Sequence, residues 1–247
     1  MKNRVISLNC DMGESFGSWK MGADDLAMPH IQMANIACGF HASDPDVMAT
    51  TIQLAGKHGV KIGAHPGYPD LQGFGRRSLP MDSQSITHML TYQIGALNAL
   101  CTAYGQKMEY VKPHGALYND MMHDERIFTA ICNAVSPFSV PLMILATADN
   151  EKFLDIADDY DIPLYFEAFA DRRYLSDGKL APRSLSGSVI ETREEILNQV
   201  LQIAKYQKVA TLDNCFIPIQ ADTICVHGDN LQAIEVIQQI KNALEAI

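Results

Sequence analysis

Residues 61–77 read "KIGAHPGYPDLQGFGRR", and this stretch carries the pattern that decides the fold. A short apolar run of the kind that forms a strand leads directly into a loop with one His, two Pro, an Asp and two Arg. Proline restricts the backbone and glycine permits tight turns, so such a loop can hold polar side chains in fixed directions. We interpret it as part of a functional site at a strand end, the alternative being a surface loop with solvated arginines.

Seven short apolar runs, including the one that opens this stretch, are candidate strands. Most are apolar at nearly every position, as strands are when a parallel sheet buries both of their faces. The seven runs are RVISLN (4–9), ANIAC (34–38), VKIGA (60–64), EYVK (109–112), LMILA (142–146), LYFEA (164–168) and TICVH (223–227).

Six of the seven runs lead directly into a polar cluster, and this recurrence favours one of two architectures. Alternating strands and helices form either an open, doubly wound sheet, with its site at one switch point, or a closed barrel. A barrel gathers the carboxyl ends of all its strands into one ring. The sequence therefore predicts a seven-stranded parallel (β/α) barrel as a single domain over residues 1–247. The clusters are NCDMGES (9–15), CGFHASDP (38–45), GAHPGYPD (63–70), VKPHGALY (111–118), EAFADRRY (167–174) and CVHGDN (225–230), and the fifth run is followed only by ATADN (146–150).

Helical patterns between these runs are bounded by recognisable end signals. Asp44 and Pro45 predict a helix start, Gly59 predicts its end, and Thr192 with Glu195 forms a capping box. The polar segment 170–190 is interpreted as a long functional loop. The predicted helices cover residues 44–59, 82–105, 124–135, 192–206 and 229–244.

Composition limits the function classes. The net charge is −10, and a diffusely acidic chain lacks the basic face that nucleic acids and anionic membranes require. The sequence has no secretory signal pattern and no apolar run of about 18 residues, so a cytoplasmic protein without a membrane span is expected. Six Cys without a C-x-x-C pair indicate reduced, mostly buried thiols.

Four of the eight His occur at strand ends, and we expect most of them to face one cavity. Acidic residues and one Lys occupy equivalent positions. The acids could instead cap helices, most plausibly Asp229, and Lys112 could extend from its strand end to solvent. The candidate ring consists of Asp11, Glu14, His41, His65, Lys112, His114, Glu167, Asp171, His227 and Asp229.

Known cofactor motifs are mostly absent from the sequence. Strand one ends in Asn9-Cys10-Asp11 instead of the His-x-His of amidohydrolase barrels, and no phosphate-binding glycine loop or G-x-S-x-G elbow occurs. A divalent metal held by Asp11, His41 and His65 remains possible, because these residue types are metal ligands.

The blocks LNCDMGESFG, NIACGFHASDP, GAHPGYPDLQGFGRR, VKPHGALY, EAFADRRY and VHGD resemble the signature blocks of the lactam-utilisation (LamB/YcsF) family. The resemblance extends from Leu8 to Asp229. It implies a barrel akin to polysaccharide deacetylases and the role of the A subunit in an ATP-dependent 5-oxoprolinase. The reaction implied is 5-oxo-L-proline + ATP + 2 H2O → L-glutamate + ADP + phosphate, with ATP used together with two partners, the B and C subunits of 5-oxoprolinase.

The resemblance also suggests roles for the candidate residues. A general base would be Asp11, Glu14 or Glu167, and the strand-end His would relay protons. Lys112 would stabilise an oxyanion or phosphate. Substrate binding would fall to Arg76, Arg77, Asp171, Arg172, Arg173 and Asp229.

Two other functions remain open. The barrel could be an independent metal-dependent deacetylase of sugars or amides, which would need metal and work alone. It could also be a non-catalytic subunit that binds a lactam, in which case substitutions at the strand ends would leave catalysis intact.

Overall fold

A computed structural model describes residues 6–226 and 231–245. Seven parallel strands close into a barrel, because the first strand pairs with both the second and the last. The predicted seven-stranded parallel (β/α) barrel is thereby confirmed. Its strands are β1 (Ser7–Met12), β2 (Met33–Ala37), β3 (Lys61–His65), β4 (Met108–Val111), β5 (Leu142–Leu145), β6 (Leu164–Phe169) and β9 (Thr223–Val226).

Helices connect the strands, and several begin where the sequence predicts. The Asp44 carboxylate accepts hydrogen bonds from the N–H groups of Asp46 and Val47, and Gly59 ends the same helix in the left-handed conformation. No described helix is long and apolar enough to cross a membrane. The helices are α1 (Asp24–Ala27), α2 (Pro45–His58), α3 (Ser83–Ala103), α4 (Gly115–Met121), α5 (Glu125–Val135), α6 (Glu151–Asp158), α7 (Arg193–Tyr206) and α8 (Leu231–Glu245), with 3-10 turns at Met28–His30 and Ser136–Phe138.

Several elements lie outside the predicted pattern, including the short helices α1, α4 and α6 and a second, small sheet. Strands β7 (Lys208–Ala210) and β8 (Phe216–Pro218) form a separate antiparallel hairpin, which the sequence analysis did not predict. The predicted loop after β6 is anchored by Tyr174, which is fully buried and bridges to the hairpin at Thr211. The Tyr174 hydroxyl accepts a hydrogen bond from the Phe169 N–H at the end of β6. The loop therefore has a fixed starting point at the barrel mouth.

The barrel interior changes from apolar to polar along its axis. Met33, Tyr110 and Met143 form a small buried cluster of their own, separate from the main core. A Cβ on Gly63 would overlap the Tyr110 ring, so glycine is required there to admit the ring. Two residues beyond Met33 and Tyr110, alternation places the polar side chains of Asn35 and Lys112 on the same inner face.

Candidate active site

The carboxyl ends of four strands bring charged side chains together inside the barrel mouth. Asp11 lies near the end of β1, His65 ends β3, Lys112 follows β4 and Glu167 lies on β6. Lys112 Nζ lies 2.9 Å from Asp11 Oδ1 and 2.7 Å from Glu167 Oε1. The Lys112 side chain is only 3% exposed, so it points into the barrel and the alternative in which it extends to solvent is wrong.

The ammonium of Lys112 stays charged in spite of its burial. Burial by itself lowers the pKa of a lysine, but the negative charges of Asp11 and Glu167 outweigh that effect and hold the pKa of Lys112 well above its usual value. Its N–H groups are also directed at protein oxygens, since the Asn9 Oδ1 atom lies 3.3 Å from Nζ.

Two amide side chains below the Lys112 ammonium hold the Asp11 carboxylate in place. Asn35 Nδ2 donates to both Asn9 Oδ1 and Asp11 Oδ1 at 2.8 Å, and the Tyr110 hydroxyl donates to Asn35 Oδ1 at 2.7 Å. Asn9 Nδ2 in turn donates to Thr223 Oγ1 at 2.9 Å.

Glu167 is fixed on its other oxygen by Tyr118, whose hydroxyl donates to Oε2 at 2.7 Å. We call this set the Lys112 network: Asn9, Asp11, Asn35, Tyr110, Lys112, Tyr118 and Glu167. The sequence analysis missed Asn9, Asn35, Tyr110 and Tyr118. The available signal was a pair of amides that interrupt otherwise apolar strands.

Four residues beside this network form a second group, the histidine cluster: Glu14, His41, His65 and His114. Each offers one ligand atom, and these atoms all lie within 4.8 Å of one another, so the group could hold a metal ion. Glu14 Oε1 lies 3.3 Å from His41 Nε2 and 3.6 Å from His114 Nδ1. This group differs from the set of Asp11, His41 and His65 that the sequence left possible, because it includes Glu14 and His114, while Asp11 Oδ1 is bound to Lys112.

The rings of the cluster are held by backbone carbonyls and by each other. His65 Nδ1 lies 2.7 Å from the Lys112 carbonyl oxygen, and His114 Nε2 lies 2.8 Å from that of Phe74. The His41 and His114 rings stack at 3.6 Å between centroids. Burial lowers the pKa of both His41 and His114 well below the usual value, so these two rings are neutral near pH 7.

The stretch 61–77 shapes this cluster through its glycines. Gly75 has a φ of +62°, and a Cβ there would lie 2.7 Å from His41 Cβ and 2.8 Å from His114 Cδ2. A Cβ on Gly67 would lie 2.9 Å from His41 Nδ1. The glycines of this loop are thus explained by the close approach of the imidazole rings to its backbone.

The predicted arginines do not all reach the site. Arg77 Nε donates to Asp70 Oδ2 at 2.9 Å within the same loop, and Arg173 pairs with Glu195 of α7 at 3.1 Å. These two are engaged in local ion pairs, in contrast to the expectation that they bind substrate. Arg76 instead lines the cavities at the mouth.

Two adjoining cavities open above the polar clusters. The larger, about 500 Å³, is lined by Asp11, Glu14, Asp24, Arg76 and Arg183 among others. The smaller, about 50 Å³, reaches down to Lys112. Its lining also includes Asp11, His65, Arg76, His114, Tyr118, Arg172 and Arg183.

Arg172 is a second buried cation in this lining, beside Lys112. Its Nε is buried without a hydrogen-bond partner among the described residues. Burial, and then the nearby charge of Arg183, lowers the pKa of Arg172 to about 10. The sequence analysis missed Arg183, which has no motif around it.

Three predicted residues remain without a placement in either cluster. Asp171 adjoins Arg172 on the loop after β6 and does not line either cavity described above. His227 and Asp229 lie outside the described residues.

The chain is similar to known proteins over nearly its full length. The chain is 62% identical over 245 residues to a Vibrio cholerae serotype O1 protein named as the A subunit of 5-oxoprolinase, covering 99% of this chain and 100% of the relative. It is 50% identical to a Pseudomonas aeruginosa protein that carries the same subunit name, with coverage of 99% of this chain and 98% of the relative.

A solved structure and a family model point the same way. The lactam utilization protein from Thermus thermophilus is 40% identical, with a TM-score of 0.89 and coverage of 98% of this chain and 96% of that one. The model of the LamB/YcsF family matches residues 6–247. The chain therefore belongs to the LamB/YcsF family, as the signature blocks at its strand ends predict.

Proposed function

We propose that this chain is the A subunit of a 5-oxoprolinase and opens the lactam ring of 5-oxo-L-proline to give L-glutamate. The observation that carries the proposal is the mouth of the barrel, where Asp11 lies between a buried ammonium and a cavity lined by arginines. The relatives that carry the 5-oxoprolinase name over nearly their full length support the choice of substrate.

The chemistry explains why ATP and the B and C subunits belong to the proposal. A five-membered lactam is an amide with little strain, so its resonance resists attack by water. Transfer of a phosphoryl group from ATP to the amide oxygen removes that resonance. Since the chain carries no phosphate-binding glycine loop, we assign this transfer to the complex with its partners and the ring opening to the barrel.

Asp11 is the best candidate for the general base. Glu167 is fully buried between Lys112 and Tyr118, whereas Asp11 lines both cavities. In this proposal Asp11 accepts a proton from the water that attacks the ring carbonyl carbon. It returns the proton to the ring nitrogen as the C–N bond breaks. The opened product then carries the phosphoryl group as an acyl phosphate, and the second water of the reaction hydrolyses it to L-glutamate and phosphate.

Lys112 acts through Asp11 in this scheme. Its ammonium already faces the oxygens of Asn9, Asp11 and Glu167, so contact with substrate would require loss of one of these bonds. We therefore revise its expected role from an oxyanion donor to a positioning residue that keeps Asp11 ionised and oriented.

The arginines supply the recognition of a negatively charged substrate. The carboxylate of 5-oxoproline and an added phosphoryl group are both anions that guanidinium groups bind through paired hydrogen bonds. Arg76, Arg172 and Arg183 line the small cavity next to Lys112, which supports their assignment to these anions.

The test of the function is release of glutamate from 5-oxoproline, with ATP and each protein omitted in turn. We expect release only from the complete mixture. Full release without this chain would overturn the proposal. Deacetylation of an acylated sugar by this chain alone with a divalent metal would instead favour a metal-dependent deacetylase.

Substrate recognition is tested with Arg183→Gln in the complete mixture. Loss of one charged hydrogen bond should raise the KM for 5-oxoproline about tenfold or more. Arg77→Gln is the matched control, because Arg77 is occupied by Asp70 and its KM should not change. Equal KM values for wild type and Arg183→Gln would remove Arg183 from the site.

A further inference from the structure

The histidine cluster contains two ring nitrogens that face each other. His65 directs Nδ1 at the Lys112 carbonyl and His114 directs Nε2 at the Phe74 carbonyl, and a carbonyl accepts only from an N–H. The second nitrogen of each ring, His65 Nε2 or His114 Nδ1, therefore faces the other ring at 3.0 Å. A cation between these nitrogens, either a proton or a metal ion, holds them at this distance.

The spacing of the whole cluster suits a metal ion better than a single proton. A proton bridges two atoms, whereas here four ligand atoms converge within 4.8 Å of one another. The ligands of a tetrahedral ion with bonds of about 2.0–2.2 Å lie roughly 3.3–3.6 Å apart. The separations of 3.3 Å between Glu14 and His41 and of 3.6 Å between Glu14 and His114 fall in that range.

The residues around the cluster hold its rings in the way that the residues around a metal site usually hold the ligands. Histidine ligands generally donate their second N–H to a carbonyl or carboxylate, which fixes the tautomer and the ring direction. His65 and His114 both do so here. Gly67 and Gly75 pack directly against the rings, and Glu14 opens the group to the large cavity. A ligand could thus enter while the three rings stay in place.

We infer that Glu14, His41, His65 and His114 form a binding site for one divalent transition-metal ion of the Zn²⁺ type. Three imidazoles and one carboxylate suit Zn²⁺ and Co²⁺ and disfavour Mg²⁺ and Ca²⁺, which prefer oxygen ligands. A bound ion of this kind acts as a Lewis acid toward water or a carbonyl oxygen. The inference goes beyond the proposed function, because ion binding depends on these four residues and not on the substrate.

The experiment titrates Co²⁺ and Zn²⁺ into the full chain after treatment with a chelator. We expect one ion per chain by calorimetry, and visible absorption bands of four-coordinate Co²⁺ that Zn²⁺ abolishes. His65→Ala and His114→Ala should each weaken binding by at least about a hundredfold, since they remove ligands and not merely their outer partners. Glu14→Gln, which keeps the shape of a partly exposed side chain, tests the site without deleting a buried ring.

His88→Ala is the matched control, because His88 is exposed on α3 and should leave Co²⁺ binding unchanged. Absence of binding at an ion concentration far above that of the chain would overturn the inference, as would equal binding by wild type and the ligand variants. A chain that binds the ion but yields no glutamate with its partners sustains the inference and rejects the proposed function. Full glutamate release by an enzyme that binds neither ion would support the proposed function and reject the inference.

Discussion

The two polar groups at the barrel mouth differ in how far the protein itself satisfies them. In the Lys112 network each charge meets an opposite charge, and the amides of Asn9 and Asn35 are bonded to their neighbours. In the histidine cluster, His65 Nε2 and His114 Nδ1 face each other at 3.0 Å, and His41 Nδ1 is buried without a hydrogen-bond partner among the described residues. The first group is satisfied by opposite charges within the chain, whereas the second is the group for which we infer a metal ion. Neighbouring polar residues of similar burial can thus serve as scaffold in one case and as a ligand site in the other.

Asp11 lies where the two groups meet, since its Oδ2 is 3.4 Å from His65 Nε2, and its substitution should have the largest effect. Asp11→Asn removes the proposed base but keeps the size of the side chain. We expect glutamate release to fall by roughly 10²–10⁴, the usual contribution of a general base. The rate is measured in the complete mixture with Asp155→Asn, an exposed change on α6, as control. An unchanged rate would exclude Asp11 as the base.

Lys112→Met tests whether the Lys112 network is stable only while it contains the positive charge of Lys112. The substitution leaves two carboxylates facing each other in the barrel, and removal of one partner from a buried pair costs about 3–5 kcal/mol. We expect the free energy of unfolding in urea at pH 7 to fall by that amount, and Glu167→Gln in the same chain to restore much of it. Lys61→Met, at the exposed start of β3, is the control. A fully stable Lys112→Met protein would contradict the account.

The stability of the folded chain depends on pH through Asp24, which lies at the edge of the histidine cluster. Its Oδ2 accepts a hydrogen bond from the Gly13 N–H at 2.8 Å, yet burial, with the charge of Glu14, raises the pKa of Asp24 to about 6. The folded state therefore holds this proton more tightly than the unfolded chain, where the pKa is near 4. Stability with respect to this group is highest below pH 4, falls as the pH rises to 6, and is constant above that.

The expected loss between pH 4 and pH 6 is up to about 3 kcal/mol. Asp24→Asn keeps the acceptor for Gly13 and removes the charge. The difference in free energy of unfolding between variant and wild type should grow in favour of the variant over this interval. Asn98→Ala, an exposed change on α3 that alters no titratable group, should show no such trend. A constant difference from pH 4 to pH 7 would refute the raised pKa.

Substitution of two glycines has the smallest expected effect and still distinguishes the two groups. Gly63→Ala forces a Cβ into the ring of Tyr110, a member of the Lys112 network, and such overpacking costs about 1–3 kcal/mol. It should leave Co²⁺ affinity unchanged. Gly75→Ala should destabilise by a similar amount and also weaken Co²⁺ binding, because its Cβ displaces His41 and His114. Gly95→Ala on α3 is the control, because a Cβ there would meet only Phe138, at an ordinary contact distance of 4.0 Å. Equal Co²⁺ affinity in both variants would show that the rings adapt.

The sequence predicted the barrel well because its signals are local. Apolar runs buried on both faces mark the strands, and the polar residue at each end marks the mouth, so Asp11, His65, Lys112 and Glu167 could be identified. The amides Asn9 and Asn35 could not, since a single polar residue within an apolar run gives no indication of its partner.

Pairings between distant side chains were equally hidden. That Arg77 binds Asp70 while Arg183 lines the cavity depends on loop conformation, which no periodic pattern encodes. The ligand set of the histidine cluster also depends on ring tautomers, which are fixed by the carbonyls of Phe74 and Lys112 and not by residue type.

Closure of the barrel by its first and last strands has a consequence for biosynthesis. Asn9 and Thr223 are 214 residues apart in the chain, yet they share a hydrogen bond at the base of the active site. At about 5–20 residues per second, a ribosome needs roughly 10–45 seconds to make β9 after β1 has emerged. Throughout that interval β1 lacks its β9 partner, and β6 lacks it from the time that β6 itself is made; an unpaired strand edge is a template for wrong pairing. The site is thus assembled last, and protection of the nascent chain matters most for its earliest strand.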